Sequence, residues 1–195
     1  LPGAVVGRVT DAGMRRVLQD GKVVAEDPTA ALAGDGVPLY DPERLEPTYL
    51  EEVRKLKPPA DVPADLGAEL LRLLSTPTIA STEWAYSRFD SEAGNRTSLG
   101  PGRGDAAVLR VGDGVRGIAL SVACNSRYVY LNPRLGAQIA VAEAARNISC
   151  VGGTPLAVTD GLNFGSPENP EIYWQLEQSI QGIRDACLAL GTPVT

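Results

Sequence analysis

Asp160 stands where an apolar run, Pro155-Leu156-Ala157-Val158, gives way to Gly161-Leu162-Asn163-Phe164-Gly165. An acid carried on a buried strand into a glycine-bounded loop is a common way to present a ligand for a cation or a phosphate, because glycine permits close backbone approach. A carboxylate suits magnesium, a hard cation that prefers oxygen, and equally accepts from a nucleotide hydroxyl or amino group. The same pattern also describes a plain turn at a strand end. Asn163 offers an amide to the same ligand, yet Asn before Phe-Gly is as often only a turn former.

Other groupings are weaker. Gly100-Pro101-Gly102-Arg103-Gly104 has the glycines of a phosphate cradle but lacks the Lys and Ser/Thr of a P-loop, and no helical pattern follows it. A turn into a strand is the better reading. Glu143 and Arg146 are one helical turn apart, the spacing of a solvated or structural ion pair. Arg127, Tyr128 and Tyr130 suit the lining of a ligand site or a domain seam, or ordinary packing. The chain contains no histidine. It therefore assembles no Ser/His/Asp or Cys/His nucleophile and no histidine metal site, and no catalytic residue is assigned. Cys124, Cys150 and Cys187 share no metal-ligand spacing, which predicts buried free thiols in a reducing compartment.

These residues need elements to hold them. Residues 5–9 and 15–25 read as short strands, the second broken by Asp20-Gly21, a two-residue hairpin signal. Residues 27–63 are rich in proline and charge: Pro28, Pro38, Pro42, Pro47, Pro58, Pro59 and Pro63 interrupt any long helix. Thr48 is placed to cap a short helix running to Lys57. Leu66, Leu70, Leu73 and Leu74 give residues 65–74 the apolar face of an amphipathic helix, expected to face inward. Residues 106–111 and 117–122 form a strand pair around Gly112-Asp113-Gly114. An alanine-rich helix is expected over residues 135–150, then a turn and the apolar strand that ends on Asp160. In the last helix Asn169 caps, Pro170 opens, and Ile172, Leu176, Ile180, Ile183, Cys187 and Leu190 form one face before Gly191 and Pro193 stop it. Val194 opens a further strand.

Composition narrows the class. The 195 residues are 44% hydrophobic with a net charge of −6. That is enough for one good domain, or one domain and a piece of another. No basic block exists to neutralise nucleic-acid phosphates, and no apolar run approaches the roughly 20 residues of a membrane span. No secretory leader pattern is present, so the expected location is cytoplasmic. The motifs Asn95-Arg96-Thr97 and Asn147-Ile148-Ser149 fit the glycosylation pattern by chance. The chain opens on Leu1-Pro2 rather than Met, as an internal piece of a longer protein would.

Residues 124–165 carry a resemblance: Asn125, Arg127-Tyr128-Val129-Tyr130-Leu131, Pro133, Leu135-Gly136-Ala137, Val141-Ala142-Glu143-Ala144-Ala145-Arg146-Asn147, Thr159-Asp160, Leu162-Asn163-Phe164-Gly165 and then Pro167. This run resembles the second half of the large catalytic subunit of phosphoribosylformylglycinamidine synthase, within the wider aminoimidazole ribonucleotide synthetase-related superfamily. The likeness extends over most of the chain and is strongest from Pro101 onward. It implies an α/β (α+β) fold with a mixed sheet and packed helices. Residues 1–40 would be the β tail of a preceding domain, residues 41–81 a linker with short helices, and residues 82–195 an N-terminal-type synthetase-like domain cut at its C-terminal end. It implies a ligase that joins formylglycinamide ribonucleotide, ATP and ammonia in purine synthesis, with Mg2+, a glutaminase subunit and a small accessory subunit. Asp160 and Asn163 would lie at its ATP site. The family's catalytic histidine lies upstream and its glycine-asparagine segment lies beyond Thr195, so the piece alone is expected to be inactive. Where the family commonly has Tyr-Asp-His, this chain has Phe89-Asp90-Ser91, leaving Asp90 a structural acid. Two alternatives stay open: another ATP-dependent member of the superfamily, and a non-catalytic nucleotide-binding scaffold domain. Self-association is also expected, through surfaces that the rest of the subunit would cover.

Overall fold

The computed structural model describes residues 3–32, 39–58 and 60–195. The chain divides into two compact units, Leu1–Asp41 and Pro42–Thr195. In the first, β1 (Met14–Gln19) and β2 (Lys22–Pro28) form an antiparallel hairpin with a register shift between Val17 and Leu18. Its turn is Asp20-Gly21, with φ of 50° and 77°. Both values are positive, as a type I′ turn requires, and Gly adopts this conformation without strain. Cross-strand pairs Arg15–Asp27 (2.6 Å) and Arg16–Glu26 (2.5 Å) lie along it. A single helical turn, α1 (Thr29–Leu32), follows, and the Thr29 backbone N–H and hydroxyl both donate to the Gly13 carbonyl. The strand expected at residues 5–9 does not form: Val5, Val6 and Val9 are exposed and irregular. No neighbour strand is present there among the described residues, and an extended segment is not stable without one.

The second unit begins with three short helices: α2 (Tyr49–Lys55), α3 (Leu66–Leu74) and α4 (Glu83–Tyr86). Thr48 sits at the start of α2 but makes no capping hydrogen bond, because its own backbone is helical (φ −62°, ψ −29°). The helix stops at Lys55, short of the expected Lys57; extended Leu56 leads into Lys57-Pro58, where proline disfavours helix. Pro38 and Pro59, two of the expected helix breakers, lie outside the described residues. In α3 the Asp65 carboxylate accepts from the Ala68 N–H, a true cap. Its leucine face is not inward, however. Leu66, Leu70, Leu73 and Leu74 are all exposed, since no other element of the described chain packs over them.

A three-stranded antiparallel sheet comes next, in the order β3 (Thr97–Leu99), β4 (Ala107–Arg110), β5 (Gly117–Leu120). The β4–β5 pair is the one the sequence indicates; β3 is an addition. Then come α5 (Ser126–Leu131), α6 (Pro133–Cys150) and α7 (Pro170–Leu190). Asn132 ends α5 and caps α6, its side chain accepting from the Leu135 N–H with Pro133 at the first helical position. A Cβ on Gly136 would lie 2.4 Å from the Val129 nitrogen, so glycine is what lets the two helices meet at this corner.

Helices α6 and α7 pack through small residues. A Cβ on Gly182 would sit 2.2 Å from the Arg134 carbonyl oxygen and 2.9 Å from the Ala137 Cβ. The buried line of α7 is Ser179, Gly182 and Cys187. This corrects the expected face: Ile180 and Leu190 are exposed, while Ile172, Leu176 and Ile183 are half-buried on its flank. Close helix approach requires small side chains along the contact, so the bulky residues move to its side. The Ser121 hydroxyl donates to the Ala144 carbonyl at 2.9 Å, tying the chain after β5 to α6. The architecture is mixed α/β with packed helices, its strands antiparallel apart from one parallel bridge, Val158 to Val194.

Candidate functional site

That bridge positions Asp160. The Val158 N–H donates to the Pro193 carbonyl and the Thr195 N–H to the Val158 carbonyl, both at 2.9 Å. The strand expected to open at Val194 is present as a single bridge residue. The expected buried strand leading to Asp160 reduces to this single bridge; Thr159 and Asp160 are exposed, because among the described residues Val194 is the only strand partner. Residues 159–169 then run as a loop into α7. The Asn169 side chain accepts from the Glu171 N–H (2.9 Å) and the Ile172 N–H (3.4 Å), fixing the loop's exit.

Asp160 and Asn163 share this loop. The Asn163 amide donates to the Gly161 carbonyl at 2.8 Å, a local turn bond. Among the described residues no hydrogen bond engages the Asp160 carboxylate, so its oxygens remain available. Neither residue lines either of two grooves of about 390 and 380 Å³, one along Leu109, Leu120 and Val122, the other along Arg146, Ser149 and Leu190. Asp160 is an exposed carboxylate on an open loop. Among the described residues no cluster of three or more His, Cys, Asp or Glu can hold a metal ion. The described residues therefore build no metal cage by themselves, and a lone Asp160 fits the sharing of a cation already held by phosphates.

The other groupings resolve as follows. Glu143 and Arg146 form no ion pair among the described residues. The ion pair that α6 does make is Arg134–Asp185, with the Gln138 amide donating to the same carboxylate at 3.3 Å. The Arg134 hydrogen bond holds the Asp185 carboxyl below its ordinary value, and Gln138 and Arg184 add to the shift. Residues 100–104 connect β3 to β4, and no helix follows them. Asp90 accepts from the Glu92 N–H at 2.8 Å, a structural turn. Of the cysteines expected to be buried, only Cys187 is; Cys124 and Cys150 are exposed at helix ends, and all three are free.

Tyr130 has a partner that the sequence pattern does not reveal. The Tyr49 ring stacks on it with centroids 4.2 Å apart and planes 2° from parallel. The Tyr49 hydroxyl donates to the Tyr130 carbonyl at 2.7 Å. Burial first, then Tyr130 and Glu171, push the Tyr49 hydroxyl above its usual value, keeping it a donor. The only signal for this contact is an aromatic residue, one of two tyrosines, inside a proline-rich polar stretch.

Residues 103–195 match the model of the AIR synthase related protein, N-terminal domain. Over its entire length the chain is 50% identical to phosphoribosylformylglycinamidine synthase subunit PurL of Moorella thermoacetica, covering 26% of that protein. It is 52% identical to the same subunit of Thermosynechococcus vestitus, again covering 26% of it. Among solved structures, PurLQS from Thermotoga maritima superposes with a TM-score of 0.66 at 24% identity, covering 95% of this chain and 27% of that one. T. maritima PurL complexed with ATP gives a TM-score of 0.58 at 24% identity, covering 94% and 27%. The chain thus spans about a quarter of the length of the relatives it matches. The whole chain is thus homologous to about a quarter of phosphoribosylformylglycinamidine synthase subunit PurL, and its residues 103–195 are similar to the N-terminal domain of AIR synthase related protein.

Proposed function

We propose that this chain is part of an ATP-dependent carbon–nitrogen ligase converting formylglycinamide ribonucleotide, ATP and glutamine-derived ammonia to formylglycinamidine ribonucleotide. The observation that carries the reading is identity near 50% along the whole chain to proteins of that name. T. maritima PurL complexed with ATP, and with AMPPCP, supports a nucleotide on this fold. In the proposed chemistry the formyl-amide oxygen takes the γ-phosphoryl group, ADP leaves, and ammonia then displaces phosphate at carbon. Such a reaction needs neutralisation of the triphosphate and exclusion of water.

This chain's share is one wall of the nucleotide pocket. Asp160 would contribute one carboxylate oxygen to a magnesium–nucleotide complex, with Asn163 as its polar neighbour on the loop; magnesium supplies charge neutralisation there. Residues 1–40 would close a preceding domain, residues 41–81 connect, and residues 82–195 form the nucleotide-binding domain. A glutaminase subunit and a small accessory subunit are the proposed partners, in line with the T. maritima PurLQS assembly. The exposed leucines of α3 and the open edges of the β3–β5 sheet support self-association of the isolated piece. Cytoplasmic location is part of the proposal; among the described residues no helix is long and apolar enough to cross a membrane.

One observation favours a second reading, a scaffold domain whose nucleotide is structural: Asp160 lies on an exposed loop, outside the grooves of about 390 and 380 Å³. The full-length protein, with its glutaminase partner or free ammonia, is expected to form the amidine only with ATP and magnesium, and residues 1–195 alone to form none. A full-length protein that binds ATP but never amidates formylglycinamide ribonucleotide would point to the scaffold reading. Product from residues 1–195 alone would overturn the assignment of a partial site.

A further inference from the structure

Taking residues 159–169 as the nucleotide-binding loop, we infer that residues 44–50 form a strap that positions it, with Tyr49 as the positioning residue. The strap grips two helices. On α7 the Leu45 N–H donates to the Pro170 carbonyl at 3.2 Å, in the first helical turn. Arg44 reaches Glu177 at 3.1 Å, its guanidinium 4.9 Å from the Tyr173 ring centroid. On α5 the grip is Tyr49, stacked on Tyr130 and hydrogen-bonded to its carbonyl. That carbonyl is one of those a helix C-terminus leaves without an internal partner, so the Tyr49 hydroxyl satisfies a group that otherwise needs water. Between the grips Pro47 is fully buried, and Leu50, next after Tyr49, is 4% exposed.

The place of the grip gives it consequence. The tight α6–α7 contact lies at Gly182, twelve residues beyond Pro170 and so about 18 Å along the helix. In the first turns of α7 the strap supplies the Leu45 bond to the Pro170 carbonyl and the Arg44 contacts with Tyr173 and Glu177. Those turns begin at Asn169, where the loop ends, and the loop's other end is held by a single parallel bridge. The strap therefore sets where the loop exit stands, and through it the position of Asp160 and Asn163.

The test uses the full-length protein, with Tyr49→Ala, Tyr49→Phe and Arg44→Gln, read by hydrogen exchange and by ATP kinetics. Tyr49→Ala removes the stack and the hydrogen bond together. Exchange of the hydrogen-bonded amides 168, 169, 171 and 172 is expected to rise about tenfold while amides 137–141 of α6 stay unchanged, and KM for ATP to rise several-fold with kcat held. Tyr49→Phe keeps the stack and should restore most of the protection; Arg44→Gln loosens the same amides from the other grip. Unchanged loop exchange in both Tyr49→Ala and Arg44→Gln overturns the strap, as does a rise spread equally through α6. If exchange rises without any change in KM for ATP, the strap stands and the nucleotide reading of the loop fails. If Asp160→Asn raises KM for ATP while neither strap variant alters exchange, the nucleotide reading stands and the strap fails.

Discussion

Gly182→Ala is the sharpest probe of the helix pair that carries the loop. Two effects oppose each other. Alanine in a helix interior is favoured over glycine by about 1 kcal/mol. Against this, the new Cβ would lie 2.2 Å from the Arg134 carbonyl oxygen, 3.0 Å from its carbonyl carbon and 2.9 Å from the Ala137 Cβ. Ordinary carbon contacts sit at about 3.5–4.0 Å, so α6 and α7 must part by roughly 1 Å. The closest atoms are backbone and cannot rotate away. Overpacking of this kind costs about 1–3 kcal/mol, and the parting also loosens the buried neighbours Ala137, Val141 and Cys187. Because the clashing atoms are backbone, the cost falls in the upper part of that range, about 2–3 kcal/mol, and the propensity gain leaves a net loss of about 1–2 kcal/mol, or roughly a 5- to 30-fold rise in local opening. Native-state hydrogen exchange of the full-length protein reads this directly on residues 134–145 and 176–188. Leu188→Ala, at an exposed position of the same helix, should change opening by about 0.5 kcal/mol or less. Slower or equal exchange in Gly182→Ala would refute the close-packed contact.

Two further outcomes follow from the same geometry. Asn169→Ala removes the acceptor for the Glu171 and Ile172 N–H groups and should cost about 0.5–2 kcal/mol in the first turn of α7, seen as faster exchange there with no change in α3; equal exchange would contradict the cap. Arg134 depresses the folded-state value of Asp185, so this carboxylate stabilises the α6–α7 pair above the unfolded value of about 4 and loses that contribution as pH falls through the lower folded value. Protection of the pair, corrected for intrinsic exchange rates, should decline in that acid range, and Asp185→Asn should flatten the decline; parallel pH profiles would contradict the coupling.

The legible parts of the molecule are those written in local chemistry. Asp20-Gly21 specifies its hairpin because both turn positions need positive φ. Asn169, Pro170 and Gly191 mark both ends of α7, the last at φ 68°. Long-range pairing was less legible. Among the described residues, 5–9 have strand composition but no partner, and the run before Asp160 pairs only at Val158. The leucines of α3 have helical period, yet period cannot say whether another element covers them. The face of α7 is set by Ser179 and Gly182, small residues that hydrophobic periodicity discounts. The Tyr49–Tyr130 stack joins residues far apart in sequence through a stretch with no period at all. For the site, the loop and its two polar residues are readable from the sequence; the openness of that loop is not.

The central claim is that Asp160 meets a magnesium–nucleotide complex. Equilibrium dialysis of labelled ATP in magnesium buffer, comparing the full-length protein with Asp160→Asn, tests it most directly. Asn keeps the shape and one acceptor oxygen but loses the charge, and a lost charge-assisted contact is worth about 1.5–3 kcal/mol. The account predicts roughly ten- to hundredfold weaker ATP binding, with exchange protection of α6 and α7 unchanged. Equal ATP affinity in the two proteins would contradict it and leave Asp160 as a turn residue on an exposed loop.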